Sequence, residues 1–457
     1  MNYKKGLFIF RRDLRLDDNT ALLQALHECE TVIPCFILDP CQVSETNKFR
    51  SSNALQFMFE SLDDLAGQLI SKGGQLFLFH GDSKEVIEKI LQDHDIDAVY
   101  CNKDYTTFSL ERDAKIEKVC AHLGRKFVSC SDLLLNDPNS IKTGNNEPFS
   151  VYTPFYKKSI QFPIALPRKN NNHNYYKGSI KSTISPTVFK SYLPNYNEVI
   201  AVQGGTSNAL KKLKNLAPFQ DYAKLRDFPA IQTTRLSAHN KFGTVSIRHV
   251  YDAIATQLGP NHGLIRQLYW RDFFTSIAYF SPFVFGHAFH KKFEHVPWEY
   301  NKQNLARWSE GQTGFPMVDA GMREINETGF MHNRLRMVVG SFLTKDLHMS
   351  WQVGEKYFAQ HLADYDPCVN NGSWQWVAST GADGQPYFRI FNPWLQQKKF
   401  DPECRYIKQW IPELRNYSAA TIHEWQEQKA PSSYPKPMLD HRVESEKTKK
   451  LFLENIS

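Results

Sequence analysis

Between Asp364 and Trp376 the chain reads DYDPCVNNGSWQW, which sets two carboxylates (Asp364, Asp366), adjacent amides (Asn370, Asn371), a glycine and two tryptophans (Trp374, Trp376) in one short run. Two aromatic plates beside hydrogen-bonding amides and fixed negative charge suit a site that holds one planar ring system and stacks another nearby. An isolated WxW pair is more often core packing, with the carboxylates capping neighbouring helices. A second run, GFMHNRLRM at 329–337, opens a strongly periodic segment. Helical spacing puts Asn333, Arg336 and Met337 on one face, with Gly340 a turn further along. Val338, Val339, Phe342 and Leu343 flank that face, so the helix is expected to be buried on several sides. A buried arginine needs a partner, and Asp364 is the expected one.

Three further groups could carry chemistry. Thr233-Thr234-Arg235-Leu236-Ser237 precedes a helical segment. Hydroxyls and backbone N–H groups at a helix start make an anion site, with Ser237 the expected N-cap, although capping alone accounts for any lone run of this kind. Along 266–274, helical spacing places Gln267, Trp270, Arg271 and Phe274 on adjacent faces, where a tryptophan is usually core. Trp298, Trp351 and Trp374 are, as sequence, most simply packing residues. Nothing resembles a nucleophile triad. The eight cysteines include no CxxC and no His/Cys cluster at zinc-ligand spacing, so no metal site is expected.

These residues must be positioned by 457 residues of ordinary globular composition, 41% hydrophobic and 23% charged, enough for two or three domains. The net charge of +7 permits a polyanionic partner without demanding one. Short apolar runs at 7–10, 32–38, 75–79, 98–101 and 126–128 alternate with helical patterns at 19–27, 52–71, 83–92 and 110–123. That alternation predicts a doubly wound parallel sheet over 1–130, without the GxGxxG of a dinucleotide site. Residues 131–204, rich in asparagine and proline, read as a long irregular linker. From 205 to 457 the pattern is helical, with helices expected at 207–214, 246–257, 265–280, 316–328, 331–347 and 352–362 and around Trp410 and Trp425. No apolar run has the length of a membrane span or a signal peptide, and the cysteines lie in apolar runs. The expectation is a soluble intracellular protein, cytoplasmic or nuclear, with no membrane partner.

Several motifs in order resemble the photolyase/cryptochrome family: FRRDLRLDDN at 10–19, Trp308, GxTGFPMVDAGMR, MHNRLRM, the 364–393 run, FRIFNPWLQQKKFDPE and YPKPMLDH. Within the family, MHNRLRM is similar to the class I cyclobutane pyrimidine dimer photolyases, since the (6-4) enzymes carry histidines where this chain has Asn333 and Met337. The resemblance implies an α/β N-terminal domain and an all-helical C-terminal domain that holds FAD. It implies FAD contacts at Tyr222, Thr233, Thr234, Arg235, Leu236, Ser237, Arg336, Asp364, Tyr365, Asp366 and Asn370, with the Asn370 amide near flavin N5. Trp298, Trp351 and Trp374 match an electron-transfer triad running from the surface to the flavin. Arg226, Gln267, Trp270, Arg271, Phe274, Asn333, Arg334, Met337, Trp376 and Gln396 match positions that face DNA or the lesion.

The implied activity is blue-light-driven repair of pyrimidine dimers in DNA by electron transfer from excited reduced FAD, carried out by a monomer. Gln267 stands where cyclobutane-specific members carry glutamate; an amide still donates to a pyrimidine carbonyl but supplies no negative charge. Phe108-Ser109 replaces the Asn-Glu pair of folate-binding members, so a second, antenna chromophore is expected to be a deazaflavin or a flavin. Two alternatives stay open: a cryptochrome-like FAD photoreceptor that signals to a protein partner, favoured only by Gln267, and a FAD-binding helical protein with conventional redox chemistry.

Overall fold

In a computed structural model, which describes residues 2–193, 195–428 and 432–455, five parallel strands form one sheet. They are β1 (Tyr3–Phe10), β2 (Cys29–Leu38), β3 (Phe77–His80), β4 (Ala98–Asn102) and β5 (Lys126–Cys130), in the order β3-β2-β1-β4-β5. Leu7, Phe8 and Ile9 of β1 are all buried, as a strand covered on both faces requires. Phe8 lies opposite Pro34 on one side and Tyr100 on the other. The intervening helices Thr20–Glu28, Ser52–Ser71, Ser83–Asp93 and Thr107–His122 begin at Asn19, Ser51, Asp82 and Thr106, whose side chains accept from backbone N–H groups in the first turn. Strand order reverses between β1 and β4, so their carboxyl ends flank the crevice where doubly wound folds take ligands.

The chain forms two compact units that do not follow chain order. One comprises Met1–Asn197, Val202–Gln220 and Arg235–Pro282; the other comprises Glu198–Ala201, Asp221–Thr234 and Phe283–Ser457. Helices Thr206–Lys214, Ile247–Leu258 and Gly263–Phe280, grouped by sequence with the C-terminal domain, therefore belong with the sheet. A buried ion cluster explains the membership of the second of them. Arg248 bonds Asp18 at 2.9 Å and Asp132 at 2.8 Å, and Arg15 meets Asp132 at 2.5 Å. Burial alone would raise the Asp132 carboxyl, but Arg15 and Arg248 hold it well below the usual carboxylate range. Gly243, at φ +61°, lets the chain approach so closely that a Cβ there would lie 2.1 Å from the Arg12 carbonyl oxygen. The expected irregular linker contains a helix, Tyr152–Ser159, that its Val151 N-cap does not announce.

The second unit is helical. Its core gathers Trp308, Met331, Leu335, Phe342, Trp374 and Trp425. Helices Pro316–Thr328 and Trp351–His361 match or nearly match the sequence pattern, while Pro367–Ala378 is a helix that the pattern did not announce. The helix expected over 331–347 does not run through: it is α-helical over Asn333–Ser341 and widens to a π-helix over Phe342–Asp346. Inside that widened turn the fully buried Lys345 amine donates to the Ala378 carbonyl and the Ser379 hydroxyl, both at 3.0 Å. Around Trp425 a short α-helix, Ala419–His423, is followed by a 3-10 turn, Trp425–Glu427.

Candidate functional site

In the helical unit, His332 caps helix Asn333–Ser341 by accepting from the Arg334 N–H at 3.1 Å. One turn on, Arg336 donates to both carboxylate oxygens of Asp364, at 3.1 and 2.9 Å, and to the Met331 carbonyl at 2.9 Å. The partner expected from burial is thus the one found. Asp366 caps helix Pro367–Ala378, accepting from the N–H groups of Cys368 (3.0 Å) and Val369 (3.2 Å). Burial, then Glu355 and Asp366, push the neighbouring Tyr365 hydroxyl up, so it stays a neutral donor.

One turn into that helix, the buried Asn370 donates from Nδ2 to the Glu355 carbonyl at 3.0 Å, and its Oδ1 accepts no hydrogen bond among the described residues. The amide is therefore oriented, with its acceptor end available. Two more amides hold the arrangement, Asn371 of the opening run and Gln375, which sequence reasoning missed. Asn371 donates to the Glu355 carboxylate at 2.9 Å, and Gln375 donates to the carbonyls of Val284 and His287 at 3.1 Å. Burial pushes the Glu355 carboxyl up to about 7.

At about 100° per residue, positions two apart in a helix face opposite ways. Trp374 is accordingly buried and Trp376 half-exposed. Trp374 sits between two glycines, Gly340 and Gly354, and meets Phe358 edge-on with centroids 4.9 Å apart. Gly354 shares helix Trp351–His361 with Trp351, one turn away. Trp298 precedes a bridge in which the Glu299 N–H donates to the His348 carbonyl at 2.8 Å, which brings its backbone beside the start of that helix. The backbone thus orders the three as a part-exposed Trp298, a buried Trp351 and a buried Trp374. A second aromatic neighbour of Trp374 is Trp308, 6.5 Å away, which the sequence treated only as a motif residue.

On the same helix as Arg336, the exposed Asn333 donates to the Met337 sulfur at 3.7 Å, so this predicted pair is in contact. Arg334 bonds Asp227 at 2.8 Å and lies over the Phe400 ring at 4.4 Å. Arg226 is 3.9 Å from the other oxygen of Asp227, and Tyr222 hydrogen-bonds Arg226. Gln396 lies one turn before Phe400 on helix Pro393–Phe400, with a buried Oε1 that accepts nothing among the described residues.

In the sheet-bearing unit, Trp270 stacks on Tyr152 with ring centroids 3.7 Å apart and planes 7° apart. Tyr152 is anchored through its hydroxyl to the Arg266 carbonyl at 2.8 Å, and Phe274 packs on Trp270 at 5.4 Å. One face of Trp270 is therefore covered by protein, and Gln267, three residues earlier, makes no hydrogen bond among the described residues. Arg271, with a side chain only 10% exposed, donates to the carbonyls of Leu133 (2.7 Å) and Asn240 (3.2 Å), backbone contacts that helical spacing alone does not reveal.

The TTRLS run divides, with Thr233 and Thr234 in the helical unit and Arg235 to Ser237 in the other. Arg235 adopts φ +49°, and helix Ser237–Phe242 begins with the buried Leu236, not Ser237, as N-cap. Ser237 is left exposed as the first helical residue. Lys212, absent from the sequence reading, has its amine pKa lowered by burial and by nearby Arg235.

Residues 264–454 match the model of the FAD binding domain of DNA photolyase, and residues 7–169 that of DNA photolyase. A deoxyribodipyrimidine photo-lyase of Alkalihalophilus pseudofirmus is 34% identical, aligning 97% of this chain with 96% of its own length. An archaeal photolyase from Sulfolobus tokodaii, solved with two FAD molecules, superposes with a TM-score of 0.90 at 39% identity, covering 98% of this chain and 100% of that one. A bacterial class III photolyase from Agrobacterium tumefaciens gives a TM-score of 0.91 at 29% identity over 99% and 98% of the two chains. Likeness in sequence and in fold along almost the whole length leads to one conclusion: the chain belongs to the DNA photolyase family.

Proposed function

We propose that this protein is a light-driven DNA repair enzyme that reverses cyclobutane pyrimidine dimers with reduced FAD as its cofactor. The observation that carries the reading is the Arg336–Asp364 pair next to an oriented Asn370, with Trp374 buried two turns or less along the same chain run. The donor set fits an isoalloxazine: a guanidinium and carboxylate in a neutral pair, and an amide oxygen free to accept from a ring N–H. When bound and reduced, FAD supplies one electron to the dimer on excitation and receives it back after the ring opens.

The chain's own residues do the rest. Asn370 would accept from the flavin ring, and Tyr365, Asp364 and Arg336 would hold that ring in place. Tyr222, Thr233 and Thr234 in the helical unit, and Arg235, Leu236 and Ser237 in the other, are assigned to the FAD phosphates. Trp374, Trp351 and Trp298 pass electrons inward by short hops. Trp270 in the sheet-bearing unit and Trp376 in the helical unit are the aromatic residues assigned to the dimer. Gln267 and Phe274 of the sheet-bearing unit, and Asn333, Arg334 and Met337 of the helical unit, are assigned to lesion contacts; Arg226 and Gln396 hold the strand. A flipped-out dimer costs less unstacking than an intact base, and phosphate contacts make affinity fall with salt.

A second chromophore, a flavin or deazaflavin, fits the crevice at the β1/β4 ends. What supports it is a pair of buried guanidinium Nη2 atoms, on Arg11 and Arg112, with no hydrogen-bond partner among the described residues. We assign antenna duty to residues 1–130, linkage to 131–204 and catalysis to 205–457. The enzyme acts as a monomer in the cytoplasm. No described helix is long and apolar enough to cross a membrane, and all eight cysteines are free.

The test is direct. Reduced, FAD-loaded protein is mixed with a dimer-containing oligonucleotide under blue light, and recovery of thymine absorbance is followed. Recovery that needs both light and reduced FAD is expected; none, with FAD bound and reduced, overturns repair and favours the photoreceptor alternative that Gln267 suggests.

A further inference from the structure

Asp227 lies between two arginines of the helical unit, and nothing in the sequence singled it out. Its Oδ2 accepts from Arg334 at 2.8 Å, and its Oδ1 lies 3.9 Å from Arg226 Nε. The Arg334 guanidinium is also stacked over Phe400 at 4.4 Å, and Phe228, next to Asp227, meets the same ring edge-on at 6.0 Å. Arg334 is thus gripped by a carboxylate and supported by a ring, while Arg226, 46% exposed, reaches solvent. One carboxylate serves two cations, so the cluster keeps a net positive charge. Arg334 Nε, on a side chain only 12% exposed, forms no hydrogen bond among the described residues. Two cations held by one carboxylate, one of them solvent-exposed, suit an anionic oxygen such as that of a phosphodiester.

We propose that Asp227 is a positioning residue that sets Arg226 and Arg334 as a pair for the phosphodiester backbone beside the lesion. The inference rests on the DNA-repair reading given above. Without the carboxylate the two guanidinium groups repel each other, and Arg334 keeps only its stacking on Phe400. A shared anion therefore raises, rather than lowers, affinity for a polyanion, because it holds both cations at one spacing. Charge balance alone argues the opposite, since removing a negative group should favour DNA.

Binding of FAD-loaded protein to a dimer-containing duplex, by fluorescence anisotropy at several salt concentrations, separates the two. Asp227→Asn is expected to weaken binding about 5–10-fold and to reduce the salt slope by about 0.9, the loss of one phosphate contact. The double variant with Arg334→Ala is expected to bind no more weakly than Arg334→Ala alone. Asp227→Glu keeps the charge but displaces it by a methylene, and an intermediate loss is expected. Asp227→Asn binding as tightly as wild type or more tightly overturns the proposal. Should that variant fail to retain FAD, wild-type affinity in Asp227→Glu overturns it instead. If Arg226→Ala and Arg334→Ala both bind dimer-containing DNA like wild type, the DNA reading of this surface fails first.

Discussion

Replacing Gly354 by alanine tests the placement of Trp374 directly. A Cβ at residue 354 would lie 2.1 Å from Trp374 Cη2, 2.4 Å from Cζ3 and 2.7 Å from Leu343 Cδ2. Carbon atoms in ordinary contact are ~3.5–4.0 Å apart, so the indole must retreat by ~1.4 Å or more. Its escape is blocked by Phe358 on one side and by Gly340 and Val377 on the other. Overpacking of this kind costs ~1–3 kcal/mol, and a clash with a rigid ring belongs in the upper half of that range. Less the ~1 kcal/mol of helix propensity that alanine returns, the net loss of ~1–2 kcal/mol amounts, for a unit of this size, to a melting temperature lower by ~2–8 °C. Gly340→Ala is the matched control: its Cβ would lie 3.3 Å from Val377 and 3.4 Å from Trp374, which a small shift relieves. Alanine returns ~1 kcal/mol of helix propensity at either site, so Gly340→Ala should be nearly neutral. Displacing Trp374 also lengthens the first electron hop, so photoreduction of bound oxidised flavin, followed as bleaching under blue light with an external reductant, should slow in Gly354→Ala. Melting within ~1 °C of wild type, together with unchanged photoreduction, would refute the packing argument. So would a larger effect at Gly340.

Two other outcomes follow from named contacts. In Asp364→Asn the two-oxygen grip on Arg336 is lost; because the Arg336 side chain is 27% exposed, the cost is expected at ~1–2 kcal/mol rather than the ~3–5 of a fully buried pair. The purified variant should show a lower ratio of flavin to protein absorbance, and full FAD occupancy would contradict the role of the pair. His239 is buried, hydrogen-bonded through Nδ1 to the Thr244 hydroxyl, and held down to about 3 by burial and then by Lys212. The native state keeps it neutral while the unfolded chain takes up a proton below about 6.5, so stability falls as pH drops from there towards 3, by up to ~1.4 kcal/mol per pH unit. Urea midpoints measured from pH 7 to pH 4.5 should therefore decline less steeply in His239→Gln than in wild type, and parallel curves would discount the histidine.

Local pattern made much of the molecule legible. Helix Ser52–Ser71 and the β1 to β4 cores follow from runs of buried residues whose period one element sets by itself. The Arg336–Asp364 pair was legible for a different reason: an arginine on a helix covered on several faces has to find an acid, and few are near in sequence. What stayed hidden depends on distant partners. Tyr152 under Trp270 and the Leu133 carbonyl on Arg271 come from segments more than a hundred residues away, so periodicity around 266–274 says nothing of them. Ser237 looked like a cap because serine favours that position, yet the left-handed turn at Arg235 starts the helix one residue earlier than a serine cap allows. The π-turn at 342–346 escaped because its apolar spacing resembles an α-helix until Lys345 is seen to bond Ala378.

The interleaving of the two units bears on how the chain is made. Its sheet is complete in sequence at Cys130, but Arg248, which closes the ion cluster on Asp18 and Asp132, emerges more than a hundred residues later. At ~5–20 residues per second that is a wait of roughly 6–24 s on the ribosome. Throughout it, two acids bound for burial have Arg15 as their one native cation close in sequence, and the surface awaiting Gly263–Phe280 stays uncovered. The nascent sheet is thus a client for a holding chaperone, and a cut at the end of the expected linker does not release a finished half. Only once residue 282 has cleared the exit tunnel can the first unit close, and the second can take its place after that.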